Sequence, residues 1–514
     1  MLIATVVVYL LVSIGIGLYA ARRVATSADF MVAGRSLPLH VSLATVFATW
    51  FGAETVLSVS ATFARDGLHG IVADPFGASA CLLLVALFFA RAFYRMNLLT
   101  IGDFYRKRYN RPVEVVTSLA IGLSYLGWTS AQLTALGLVL MVLSDGAISL
   151  SAGIVIGTVV VAGYTLWGGM WSVAMTDLFQ TVVIIIGLLA VAWLMADMAG
   201  GAGVVVQAAV DAGRLSFWPE GGLAEWLPFV AAFLTLALGS IPQQDVFQRV
   251  TSAKDERTAV RASILGAAFY FGFAFVPIFI AYAALTVDPA MAGLFESEDA
   301  REIQRILPDA VLAKTPLWAQ AMFFGALLSA ILSTASGALL APASIFTENV
   351  IRPFVRRMGD RQLLITVRLV LVIFSMGALL FALNSRSTMY EMVQNAYKVT
   401  LVTAFVPLVF GLYWRRANNA GAVMAIALGA GSWLVAEFVG TGDAWPPQLI
   451  GLCAALVGMI AGSLMTQSRN HPGTPGLAAM HGEGPTAPSA AAERSSYEAP
   501  SPSRPPHSPH PPRQ

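Results

Sequence analysis

The sequence predicts an all-α integral membrane protein with about thirteen transmembrane helices and a five-plus-five inverted repeat at its core. Three observations predict it. Only 12% of the 514 residues are charged and 57% are hydrophobic, against roughly 25% charged in a soluble domain. The apolar residues gather in long uncharged stretches, each near the about 20 residues that cross a bilayer core. Two of these stretches, five spans apart, carry helix-breaking residues at mid-membrane, as inverted repeats do.

Spans are expected near 2–20, 40–62, 72–94, 113–143, 150–166, 170–197, 226–247, 260–286, 316–347, 362–384, 389–413, 420–439 and 445–466. The basic residues test this count independently, because they concentrate on the cytoplasmic side. With the N-terminus outside, twenty fall in inside loops: Arg22, Arg23, Arg35, Arg91, Arg95, Arg106, Lys107, Arg108, Arg111, Arg249, Lys254, Arg257, Arg261, Arg352, Arg356, Arg357, Arg361, Arg368, Arg415 and Arg416. Six fall outside: Arg65, Arg214, Arg301, Arg305, Lys314 and Arg386. One miscounted span would scramble that segregation. Residues 2–20 have no basic residue before them and are followed by Arg22 and Arg23, so they read as an uncleaved helix.

The chain divides into a transmembrane domain, 1–466, with core repeats at about 40–197 and 226–413, and a Pro- and Ser-rich stretch, 469–514. That stretch has too few large apolar residues to fold and reads as a disordered cytoplasmic tail. The acidic outside loop 287–315 reads as a short helical cap. Cys81 and Cys453 sit in apolar stretches without ligand spacing and read as packing residues. His507 and His510, in the tail, are not expected to bind metal. Nothing in the charge pattern points to nucleic acid.

The second span reads LATVFATWFGAETVLSVSATF, with Gly52, Glu54 and two threonines at its centre. The seventh reads FLTLALGSIPQQDVFQRV, with Gly239, Ser240 and Pro242 in mid-span. Proline removes a helical hydrogen bond and clashes with the preceding turn. Backbone groups freed at such breaks can ligate an ion or solute where they line a cavity; otherwise these are two kinked helices. The ninth span reads FFGALLSAILSTASGALLAPASIF. It brings Ser329, Ser333 and Ser336 to one face with Thr334 beside them. Such hydroxyls either serve helix packing or help surround a dehydrated sodium ion.

Glu54, Asp177 and Lys398 fall at membrane depth, where an ionisable residue is costly and a candidate for function. Glu54 and Lys398 also fit a buried ion pair or a contact with freed backbone. Counting roughly 1.5 Å per residue from the inside surface, Asp177 and Ser336 reach similar depth and could face one another.

Three motifs in these spans resemble the sodium:solute symporter family. They are AGRS (Ala33 to Ser36), GGMWSVAMTDLFQT (Gly168 to Thr181) and SAILSTASG (Ser329 to Gly337). The resemblance runs from about residue 1 to 466, and ATWFG and IPQQDVFQRV look closest to the high-affinity choline transporter branch and its bacterial relatives. It implies a LeuT-like core formed by spans two to six and seven to eleven. It implies a sodium site made by the carbonyls of Ala48, Phe51 and Ala330 with the hydroxyls of Ser333 and Thr334. A second ion path would pass Asp177 and Ser336, although one serine of that second site is Gly337 here. The solute site would involve Trp50, Glu54, Thr55, Trp128, Ser240, Gln243 and Gln244. Of the positions that form an aromatic cage in choline carriers, Trp50 and Trp128 match, and two others are Ala78 and Gln243.

The expected function is therefore sodium-coupled import of a small organic solute by alternating access, in a cell membrane. The expected partners are the solute, the sodium ion and membrane lipid, with sodium the only metal. The solute classes left open are an amino acid or other zwitterion, a carboxylate, a nucleobase-like ring and an amine. An uncoupled or channel-like permease is the alternative, and a solute sensor is disfavoured because no signalling domain follows. No nucleophile–base pair or phosphate loop suggests an enzyme. Oligomeric state is not legible.

Overall fold

In the computed structural model, which describes residues 2–297, 301–355, 358–440 and 445–467, the chain is helical nearly throughout. The spans are α1 (Leu2–Ala21), α2 (Leu39–Trp50), α3 (Glu54–Asp66), α4 (Leu68–Arg95), α5 (Arg111–Leu143), α6 (Leu150–Met198) and α7 (Leu223–Gly239). They continue with α8 (Gln244–Thr251), α9 (Glu256–Val287), α10 (Leu317–Phe354), α11 (Asp360–Asn384), α12 (Met389–Tyr413), α13 (Asn419–Val439) and α14 (Pro447–Met465). Many starts are written in the sequence as side-chain caps. Asn110 accepts from Val113 N at 3.1 Å, Asp255 from Thr258 N at 2.7 Å, and Asn418 from Gly421 N at 3.0 Å.

Both predicted breaks are present. The axes of α2 and α3 differ by 54°, and those of α7 and α8 by 45°. Counting each bent pair as one span gives twelve helices long and apolar enough to cross a membrane among the described residues. The difference from thirteen lies at 150–166. The apolar limb Leu150–Gly163 is too short to be counted among those twelve by length alone. Gly169 (φ 49°, ψ −141°) breaks the run where it packs against Phe30 O, so α6 is two limbs joined by a turn at the basic end and 150–166 remains a limb of its own.

The loops fall into two groups tied to one another. At one end Leu37 pairs with Ala253 in the single β-bridge among the described residues, through Leu37 N to Ser252 O at 3.0 Å and Lys254 N to Leu37 O at 2.9 Å. Arg35 donates to Leu98 O there, Arg95 pairs with Glu256 at 2.7 Å, and Arg108 donates to the carbonyls of Gly411 and Ala417. At the other end Leu68 N donates to Arg214 O, Lys314 pairs with Asp288 at 2.9 Å, and Arg301 donates to Ser385 O. These follow the two sets that the charge pattern separated, except that Arg249, expected in an inside loop, is buried within α8 against Thr49 and Met170. Arg356, Arg357 and the tail 469–514, with His507 and His510, lie outside the described residues. The acidic loop holds short helices at Pro289–Glu296, Glu302–Arg305 and Ile306–Lys314.

The hydroxyl-bearing helix α10 is the centre of the molecule, 94% buried over its apolar window, whereas α1 is 17% buried and lies at the rim. The apolar residues of the rim helices point outward, including Val8 and Leu11 of α1 and Leu434 and Val435 of α13, as a lipid-facing surface requires. Cys81 is buried and Cys453 is exposed on that surface.

Candidate ion and solute site

The first break brings α2 against α10. Phe51 leaves helical geometry (φ −86°, ψ 77°), so the carbonyls before it lose their usual partners. Ser333 Oγ donates to Ala48 O at 2.8 Å, and Thr334 Oγ1 lies 3.2 Å from Ala48 O and 3.3 Å from Thr49 O. Ser333 Oγ is also 3.2 Å from Ala330 O. Four of the five residues expected around sodium thus converge through their oxygens, and the fifth, Phe51, is the residue at the turn. All are fully buried. The oxygen atoms are hard donors, and each hydroxyl can turn its hydrogen away and offer a lone pair to a cation.

Beyond the break, Ala53 N donates to Gln132 Oε1 at 3.1 Å, so a side chain of α5 satisfies an amide at the start of α3. Gln132 Nε2 then donates to Glu54 at 2.5 Å, and Trp128 Nε1 donates to its other carboxylate oxygen at 3.1 Å. Glu54 is 4% exposed. Trp50 stacks at 6.4 Å on Tyr397, which also lies 6.1 Å from Trp128, and Tyr270 stands edge-on to Trp50 at 6.4 Å. Ala78 and Gln243 remove two rings from the expected cage, and Tyr397 of α12 and Tyr270 of α9 supply two others.

Two further carboxylates border this group. Asp74, where α4 is locally extended (φ −134°, ψ 122°), accepts from Thr55 Oγ1 at 3.0 Å and from the Tyr270 hydroxyl. Asp245, in the first turn of α8, accepts from the Tyr125 hydroxyl, which in turn accepts from Asp245 N at 2.9 Å. Tyr397 lies within electrostatic reach of Asp245, Glu54 and Asp74 together.

The second break is held by α12. A Cβ on Gly239 would stand 2.5 Å from Tyr397 O, so only glycine permits this backbone approach. Thr400 Oγ1 donates to the freed Gly239 carbonyl at 2.6 Å. Ser240 is buried beside it. Gln243 Nε2 reaches Ser124 Oγ at 3.1 Å and Thr400 Oγ1 at 3.3 Å. Gln244 departs from the expected grouping. Its Oε1 accepts from Ile101 N at 2.8 Å and its Nε2 is directed to Leu99 O, so it anchors a loop at the basic end.

The second ion path is brought together only in part. Ser336 Oγ donates to Ser333 O at 2.9 Å, and Asp177, fully buried, has no hydrogen bond to either oxygen. Lys398 stands apart from the site and pairs at 3.8 Å with Glu437 of α13, whose side chain is exposed, so this is not the buried ion pair that the sequence had offered. Sequence reading missed Asp74, Asp245, Gln132, Tyr270 and Tyr397. The legible signals were an Asp-Pro pair and a glutamine inside otherwise apolar runs.

Comparison with known proteins bears on the family and the fold. The chain is 26% identical over 451 residues to high-affinity choline transporter 1 of Caenorhabditis elegans, covering 83% of this chain and 76% of that one. It is 26% identical to the osmoregulated proline transporter OpuE of Bacillus subtilis, covering 90% and 94%. Its fold matches that of a Na+-coupled sialic acid symporter in a substrate-bound outward-open state, with TM-score 0.76, 19% identity and coverage of 91% and 98%. The model of the sodium:solute symporter family matches residues 30–429, and the chain belongs to that family of membrane transporters.

Proposed function

We propose that this protein is a sodium-coupled importer of a small solute that carries a positively charged nitrogen. The observation that carries the proposal is the Glu54 carboxylate, buried among Trp50, Trp128 and Tyr397 and hydrogen-bonded only by neutral donors. A buried carboxylate without a cation is costly, and ring faces attract an ammonium group. An ammonium placed among these rings would meet both needs. Asp74 and Asp245 add to the same negative field, which disfavours a solute whose only charge is a carboxylate. Choline and proline, named for two relatives, both carry such a nitrogen.

Sodium would bind at Ala48, Phe51, Ala330, Ser333 and Thr334, directly beneath the solute residues Trp50, Glu54, Thr55, Trp128, Ser240 and Gln243. One hinge, Ala48 to Glu54, then serves both ligands, which gives binding of each a physical reason to favour the other. The basic end, with Arg35, Arg95 and Lys254, would face the cytoplasm, leaving the N-terminus outside and the C-terminus inside.

Thermal unfolding of the purified protein, with choline, proline and a simple monocarboxylate each in NaCl or KCl, tests the proposal. Stabilisation by an amine-bearing solute in sodium alone is expected. Equal stabilisation in both salts would favour an uncoupled permease, and stabilisation by the monocarboxylate alone would overturn the solute class.

A further inference from the structure

One buried cation stands next to the ion site. Arg249 of α8 is 3% exposed. Its Nε donates to Thr49 Oγ1 at 2.7 Å and one terminal nitrogen lies 3.1 Å from Met170 Sδ, while the other, Nη2, has no hydrogen-bond partner. The backbone carbonyl of that same Thr49 faces Thr334, so the guanidinium is one residue removed from the proposed sodium ligands. It also lies against α10. A Cβ on Gly337 would fall 2.6 Å from Nη2, so the absence of a side chain one turn below Ser333 is what admits the arginine. Asp177, two turns along α6 from the Met170 that the guanidinium touches, is fully buried with both oxygens unpartnered.

We propose that Arg249 is a tethered cation that takes the lower cation position beside Asp177 and Gly337, limiting the carrier to one sodium ion per cycle. A mobile ion arriving there would meet a fixed positive charge at a buried position, where repulsion is little screened. The guanidinium supplies the charge that Asp177 needs, and it does so without leaving the protein. Because Arg249 rides on the limb beyond the second break and holds Thr49 at the first, it also ties the two breaks together at the ion site.

This inference rests on the sodium site proposed at Ser333 and Thr334, and the test separates the two. Radioactive sodium bound at saturation would be counted on the full-length purified protein, with no solute present. One ion per chain is expected for the wild type and for Arg249→Lys, and two for Arg249→Gln, with the Hill coefficient for sodium rising accordingly. Adding Asp177→Asn to Arg249→Gln should return the count to one. Two ions on the wild type, or one on a folded Arg249→Gln protein, would overturn the inference. The wild-type count decides even where Arg249→Gln does not insert, and Arg249→Met then replaces it. Sodium binding that is absent, or unchanged in Ser333→Ala, would instead overturn the underlying ion site.

Discussion

Glu54 and Asp245 stand at corresponding places in the two broken spans, each a carboxylate in the first turn of the limb beyond the break. Each accepts a hydrogen bond from an aromatic side chain of α5, Trp128 for Glu54 and Tyr125 for Asp245. Residues three apart on a helix share a face, so one face of α5 reads both repeats at once. A carboxylate is favoured near a helix N-terminus by the peptide dipoles, which accounts for both positions.

Glu54→Gln keeps the shape of the side chain and removes its charge. It also sets an amide N–H2 toward either the Trp128 or the Gln132 donor, where only an acceptor fits. Solute-dependent stabilisation is expected to weaken by about tenfold or more in apparent affinity, equivalent to about 1.4 kcal/mol. Asp245→Asn should cost less, because Arg249 stands one turn along α8 from Asp245 and already offsets part of its charge. Titration of solute in the thermal unfolding assay compares the two.

Trp128→Phe deletes one donor and leaves a ring in place. Leaving a buried acceptor short of a partner costs about 1–3 kcal/mol, more when it is charged. The unfolding temperature without solute should fall, and Gln132→Leu should lower it further, because Gln132 also satisfies Ala53 N.

Ser333→Ala and Thr334→Ala remove oxygens from the proposed ion site without opening a large cavity. Each is expected to lower apparent sodium affinity by about tenfold, while changing stability in potassium by no more than the about 1 kcal/mol of one hydrogen bond. Sodium activation of uptake in proteoliposomes gives the readout. Unchanged activation in both variants would remove these hydroxyls from the ion site.

Gly239→Ala places a methyl group 2.5 Å from the Tyr397 carbonyl. Overpacking of this kind costs about 1–3 kcal/mol. Because the same contact seats Tyr397 beside Trp50, solute affinity should fall together with unfolding temperature. Loss of stability with intact solute affinity would show that the approach of α7 to α12 does not set the position of the ring.

Much of the site was legible because its chemistry contradicts its surroundings. Glycine, proline and glutamate inside an apolar run announce breaks, and Ser333 and Thr334 form a polar face on an otherwise apolar helix. Gln132 carries the same signal in α5 and could have been found with it. Asp74 and Asp245 were obscured by position, since each falls close enough to the end of a hydropathy-defined span to pass for a loop residue. Tyr270 and Tyr397 could not be read in this way. The helix of Tyr270 is apolar on most faces, and that of Tyr397 carries Glu391, Gln394, Asn395 and Lys398 around it, so neither pattern states which side turns toward the rings. The pairing of Lys398 with Glu437 depends on how α13 packs against α12, which local pattern does not encode.

The bridge between Leu37 and Ala253 closes the basic end with two hydrogen bonds between main-chain groups. At about 0.5–1.5 kcal/mol net each, they amount to about 1–3 kcal/mol, a few times the thermal energy. They are not alone: Arg35 on Leu98 O, Arg95 on Glu256 and Arg108 on the carbonyls of Gly411 and Ala417 hold the same end. Under the proposed cycle, opening this end would have to break these charged contacts together with the bridge, so its closure is a cooperative property of the whole basic layer.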